Sequence, residues 1–122
     1  MPNILLVEDD DLMINMYENL LTSKGFKVST VKNGEECLLF LKTKKPDLIL
    51  LDIMMPKMDG LDTLKNIQLN NSTKDIPVIV LSNLNSESIM TEALSKGVKQ
   101  YFVKSDVENT ALIKRINELI SK

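Results

Sequence analysis

The sequence predicts a single-domain, doubly wound α/β fold on an open, parallel five-stranded sheet. Three observations lead there. Short apolar strands alternate with helix-period segments from end to end, the pattern of an open α/β sheet. Leu48-Ile49-Leu50-Leu51 has no polar alternation, so it reads as a strand covered on both faces, at the centre of a parallel sheet. With 122 residues, 43% hydrophobic and 26% charged, the chain suits one compact domain over residues 1–122 and leaves no room for a second.

The elements follow in order. Ile4–Val7 is an apolar run of strand length, and Met13, Met16, Tyr17 and Leu20 then recur at helical spacing. Lys27–Val31 is the second strand. Asn33 with Glu36 has capping-box spacing, where a side-chain oxygen and an acid satisfy each other's free backbone amides, and an apolar helical stretch containing Cys37 follows. Leu48–Leu51 is the third strand, after which the chain breaks at Met55-Pro56. Asn70-Asn71-Ser72-Thr73-Lys74 is a loop, rich in residues that favour turns, ahead of Ile76-Pro77. Val78–Leu81 is the fourth strand, and Ile89, Met90, Ala93, Leu94 and Gly97 form the next stripe. Tyr101–Val103 is the fifth strand; Ser105 and Glu108 repeat the capping-box spacing before a stripe of Leu112, Ile116, Leu119 and Ile120. Each stripe should lie on the sheet. Gly25, Gly34, Gly60 and Gly97 fall at helix ends or turns, where a positive φ is most useful. Right-handed crossovers with helices on both faces leave few topologies, although the pattern alone does not set the strand order.

A domain of this size buries roughly two-thirds of its unfolded surface and needs no disulfide or structural metal to fold. The formal net charge of −2 is opposite to the footprint of a nucleic-acid binder. Lys42, Lys44 and Lys45 form the tightest basic group, most simply a solvated helix end. The single cysteine reads as a buried small hydrophobe in a reducing compartment. The apolar run before Glu8 is too short for a signal peptide or a membrane span, so a cytoplasmic protein without a membrane partner is expected. Histidine is absent, which excludes a Ser-His-Asp triad, a His-ligated zinc and an internal phosphohistidine.

What remains is a constellation at the strand ends. In open α/β sheets ligands bind outside the carboxyl ends of the strands, at the switch in strand order. The first strand ends at Glu8 and Asp9, the third at Asp52, the fourth at Ser82 and the fifth at Lys104. Three clustered acids repel one another unless a cation neutralises them. Oxygen-only donors select a hard ion, so Mg²⁺ is expected, with Mn²⁺ as a substitute. A carboxylate beside Mg²⁺ can act as a nucleophile toward phosphorus, with the metal and Lys104 offsetting charge on the equatorial oxygens. Ser82 can donate a hydrogen bond to the product. Asp10 and Asp11 are read as acids favouring the N-terminus of the first helix.

The ordered set Glu8-Asp9, Asp52, Ser82, Tyr101 and Lys104, with Met55-Pro56 and Asp59-Gly60, closely resembles the receiver domain of two-component response regulators over nearly the whole chain. The resemblance implies the (βα)5 flavodoxin-like fold with strand order 2-1-3-4-5. It implies that Asp52 accepts a phosphoryl group from a phosphohistidine on a sensor histidine kinase or phosphotransfer protein. Asp9 would bind Mg²⁺ directly, Glu8 mainly through water, and the Met54 backbone carbonyl would complete the protein ligands. Ser82 and Lys104 would hold the phosphoryl group, and Tyr101 would swing inward as Ser82 moves. The face made by the fourth helix, fifth strand and fifth helix would then meet a downstream protein target. The protein would be a signalling phosphoacceptor rather than an enzyme, a monomer or a weak phosphorylation-dependent dimer, with no effector domain in this chain.

Four positions depart from the family pattern. Ser105 stands where proline usually follows the lysine through a cis bond; without proline that bond costs about 2.5–4 kcal/mol, so a trans bond is expected, with Ser105 capping the last helix. Asn83 replaces a small residue and crowds phosphoryl entry. Met54 and Leu84 occupy the two positions that modulate dephosphorylation, and neither can orient a water, which predicts a long-lived phosphoryl state. A haloacid-dehalogenase-type phosphatase needs an acid where Met54 stands. A flavodoxin needs a phosphate loop where Glu8-Asp9-Asp10-Asp11 would repel the flavin phosphate, and neither a P-loop nor G-x-G-x-x-G is present. The remaining alternative is a receiver-like binding module that works without phosphorylation.

Overall fold

The computed structural model describes residues 1–54 and 59–121; the expected break at Met55-Pro56 lies outside them. Five parallel strands, β1 (Asn3–Val7), β2 (Lys27–Val31), β3 (Leu48–Leu51), β4 (Val78–Ser82) and β5 (Gln100–Val103), form one sheet in the order β2-β1-β3-β4-β5. The crossovers are α1 (Asp11–Ser23), α2 (Gly34–Leu41), α3 (Gly60–Leu69) and α4 (Glu87–Ser95), and α5 (Asn109–Ile120) follows the last strand. This is the doubly wound, flavodoxin-like arrangement that the sequence predicts.

Strand alternation sorts the interior into two cores. Leu5, Val7, Ile49, Leu51, Val78 and Val80 face α2, α3 and α4. Ile4, Leu6, Leu48, Leu50, Ile79 and Leu81 face α1 and α5. All four residues of β3 are 0% exposed, as an unbroken apolar run requires. The chain runs outward from β1 to β2 and returns to place β3 on the other side of β1. The register partners Val7 and Leu51 therefore end side by side, and Glu8 and Asp52 leave the sheet at this switch point.

The local signals hold in part. Asn33 caps α2, its Oδ1 accepting from the Glu36 amide at 2.9 Å, while Glu36 accepts from the Lys32 amide. In α1 the buried stripe is Ile14, Tyr17 and Leu21; Met16 is 43% exposed, so the stripe is rotated from the one expected. Leu94 is likewise half exposed, leaving Ala93 as the buried residue of α4. Gly25 and Gly97 take φ of 90°, whereas Gly34 and Gly60 open helices without a positive φ. Gly60 is required for another reason: a Cβ there would overlap Ile53 Cα and lie 2.8 Å from the Asp52 carbonyl oxygen. The Lys104–Ser105 bond is trans, but Ser105 does not cap α5. Residues 104–106 form a turn, in which the Asp106 amide donates to the Val103 carbonyl, and the helix starts only after Glu108.

Candidate functional site

At the switch point three acids converge. Single carboxylate oxygens of Glu8, Asp9 and Asp52 all lie within 4.8 Å of one another. Glu8 and Asp52 are buried, at 2% and 6% exposure, while Asp9 is open to solvent. Lys104 arrives from the end of β5, its Nζ donating to Glu8 and, at 3.0 Å, to Asp52 Oδ2. The remaining oxygens are held by backbone: the Asp10 amide donates to Glu8 Oε2 at 3.2 Å, and the Met54 amide to Asp52 Oδ1 at 3.1 Å. The backbone beneath is anchored too, because the Asp52 amide donates to the Val7 carbonyl.

The electrostatics follow from burial. Burial raises the Glu8 pKa above the ordinary 4.5, and the charge of Asp52 adds to it, against the opposing pull of Lys104. Burial lowers the Lys104 pKa, but its hydrogen bond to Glu8 and its pairing with Asp52 outweigh that and hold it above the ordinary 10.5. One cation thus offsets part of the charge of three acids. The oxygen-only donor set suits a hard divalent cation such as Mg²⁺, which would complete the neutralisation.

Ser82 and Tyr101 lie on the other side of the sheet. Ser82 is fully buried, and its Oγ accepts from the Leu84 amide at 3.2 Å. The Tyr101 hydroxyl donates to the Leu84 carbonyl at 2.6 Å, and its ring is already buried, 7% exposed. Leu84 therefore joins the two side chains through its own peptide groups, and the Lys104 amide ties the same corner to the Ser82 carbonyl at 2.9 Å. No side-chain signal marks this linking role of Leu84 in the sequence, because every residue carries these backbone groups. Asn83 is exposed at the rim, and Met54 is 57% exposed. An open cleft of about 490 Å³ beside Asp9 is lined by Ile53, Met54, Asp59, Leu61, Leu84 and Ile89.

Other candidates resolve into structural roles. Asp10 caps α1 by accepting from the Leu12 and Met13 amides, and Asp11 pairs with Lys32 at 2.8 Å on the surface. Asp59 caps α3 through the Asp62 amide. Cys37 is buried, and burial pushes its thiol up to about 12, which leaves it unreactive at neutral pH. A larger hollow of about 830 Å³ lies between the C-terminal ends of α2 and α3, at the opposite end of the sheet from the acids. Among the described residues no helix is long and apolar enough to cross a membrane.

Comparison with known proteins agrees with this geometry. A family profile described as "Response regulator receiver domain" matches residues 4–117. The transcriptional regulatory protein AfsQ1 of Streptomyces coelicolor is 35% identical over 122 residues, covering 100% of this chain and 52% of AfsQ1. CpxR of Klebsiella pneumoniae, also a transcriptional regulatory protein, is 39% identical over 118 residues, covering 95% of this chain and 49% of CpxR. The chain thus spans about half the length of these relatives. Among solved structures, the receiver domain of sensor histidine kinase PA1611 from Pseudomonas aeruginosa superposes with a TM-score of 0.90 at 25% identity, covering 99% of this chain and 98% of that one. That structure holds a magnesium ion in its active site cleft.

Proposed function

This chain belongs to the response regulator receiver domain family, and we propose that it is a phosphorylation-dependent switch of a two-component system with Asp52 as its phosphoryl acceptor. Receiver domains are signalling domains rather than enzymes. The observation that carries the reading is the placement of Asp52: a buried carboxylate at the switch point, paired with Lys104 and within reach of two further acids.

A carboxylate oxygen of Asp52 attacks the phosphorus of a phosphohistidine on a sensor histidine kinase or phosphotransfer protein. A P–O bond forms as the P–N bond breaks, and the imidazole leaves with the electron pair. Lys104 turns from Glu8 to the transferred group and offsets charge on its oxygens. Glu8, Asp9, Asp52 and the Met54 carbonyl would hold Mg²⁺, or Mn²⁺ in its place. When bound, that ion supplies positive charge to the phosphoryl oxygens and relieves the repulsion among the acids.

Ser82 donates its hydroxyl to the phosphoryl group, and reaching that group moves the side chain whose oxygen now accepts from the Leu84 amide. Because Leu84 also holds Tyr101, that movement passes to β5 and to the face of α4, β5 and α5, where a downstream protein docks. Residues 1–122 act as one receiver unit in the cytoplasm, as a monomer or a weak phosphorylation-dependent dimer, with no nucleic-acid or membrane contact of its own. The apolar Met54 and Leu84 leave no group to orient an attacking water, so the phosphoryl state is long-lived.

Incubation with acetyl phosphate and Mg²⁺, followed by intact mass measurement, tests the assignment. The wild-type chain should gain one phosphoryl group and Asp52→Asn none. An unlabelled wild-type chain would instead favour a receiver-like module that binds its partners without phosphorylation.

A further inference from the structure

The outer face of α2 has no part in this scheme, yet it is patterned. Leu39 is 64% exposed at its centre. A lone exposed leucine is ordinary on a protein surface, but the flanks of this one are not. Glu35 lies one turn toward the N-terminus and Lys42 one turn toward the C-terminus, both exposed. Lys42 keeps helical backbone angles, φ −68° and ψ −29°, so the spacing i, i+4, i+7 puts all three residues on one stripe. Among the described residues neither Glu35 nor Lys42 has an ion-pair partner, whereas the neighbouring Glu36 is committed to the Lys32 amide. The apolar surface continues past Lys42, which also lines the hollow of about 830 Å³ between α2 and α3, where Leu69 is 73% exposed.

An acid, an apolar residue and a base in that order are complementary to the same stripe read backwards. Laid antiparallel, two copies of α2 bring their Leu39 side chains together and set each Glu35 opposite the Lys42 of the other copy. The arrangement is isologous, closed by a two-fold axis, and it opposes the two helix dipoles. A parallel arrangement would instead set Glu35 against Glu35. We propose that this face of α2 is a self-association surface whose occupant is a second copy of this chain in antiparallel register. One short helix beside the edge of a hollow gives an interface at the small end of the specific range, so the pair is weak and the monomer prevails in dilute solution. The pairing uses none of the residues assigned above to phosphoryl transfer or to the face of α4, β5 and α5, and it does not depend on phosphorylation of Asp52.

Sedimentation velocity without Mg²⁺ or a phosphoryl donor tests it. The wild-type chain should pass from monomer to dimer as its concentration rises to roughly 1 mM, and added salt should weaken the pair. Glu35→Lys and Lys42→Glu, each alone, place like charges opposite one another and should raise the dissociation constant about tenfold or more. Mixed in equal amounts, the two variants should pair to within about threefold of wild type, because each supplies the charge that the other lacks. Leu39→Ser, an exposed change that leaves the ends of α2 untouched, should weaken the pair about tenfold as well. A wild-type chain that stays monomeric up to that concentration overturns the proposal. So does a dimer that survives Leu39→Ser, or a mixture of the charge variants no better paired than either alone.

Discussion

The two faces of the sheet end differently. On the side of α1 and α5, the strand ends close over charge: Glu8 and Asp52 share Lys104, with Asp9 beside them. On the side of α3 and α4 they close over a neutral chain from Ser82 through the peptide groups of Leu84 to Tyr101. A charge added to the first region changes a balance among buried ions, where the low dielectric makes each unit of charge expensive. The second region holds no net charge and answers only to geometry. In the scheme proposed above the first region carries the chemistry and the second reports it, and the Lys104 amide bonded to the Ser82 carbonyl joins the two.

Removing the shared cation should have the largest effect. Lys104→Met leaves two buried acids without their partner and should cost about 3 kcal/mol of stability at pH 7 in urea unfolding. The sign with pH follows from the raised Glu8 pKa: a protonated Glu8 needs no cation, so the cost should shrink as pH falls through that value. A cost independent of pH would show that the charged region is not the coupled unit described here. Gly60→Ala comes next. The new Cβ meets the backbone at Asp52 and Ile53, and the strain should cost about 2 kcal/mol, measurable as a lower urea midpoint.

The cleft between the regions gives a smaller, kinetic test. Met54→Asn combined with Leu84→Glu should let a water be oriented and speed loss of the phosphoryl group about tenfold or more. An unchanged decay rate would remove the case for a long-lived state. Tyr101→Phe should have the smallest effect. It deletes one hydrogen bond to the Leu84 carbonyl, costing about 1 kcal/mol, while labelling of Asp52 by acetyl phosphate stays within about twofold of wild type. A large fall in labelling would erase the distinction between the faces.

Much of the charged region was legible in the residues themselves. An apolar run such as Leu48–Leu51 declares a covered strand, and the polar residue that ends it declares a rim. Reading Glu8, Asp52 and Lys104 needed only that each follow such a run. The misses have equally definite causes. Ser105 and Glu108 have the spacing of a cap, yet the turn at residues 104–106 takes up the chain before α5 can begin. In α1 several rotations of the helix bury an apolar stripe, and packing selected Ile14, Tyr17 and Leu21 over Met16.

Local pattern by itself determined the strands, the helical segments other than α3 and the identity of the rim acids, because strand and helix periods are properties of neighbouring residues. The doubly wound class followed from their alternation, and resemblance to a known family supplied the strand order. Only the tertiary structure decided that Lys104 bridges Glu8 and Asp52 and that Leu84 links Ser82 to Tyr101. Those contacts span up to 96 positions or run through backbone groups common to every residue, so no spacing encodes them. They exist because parallel strands in the order β2-β1-β3-β4-β5 bring distant strand ends onto one rim.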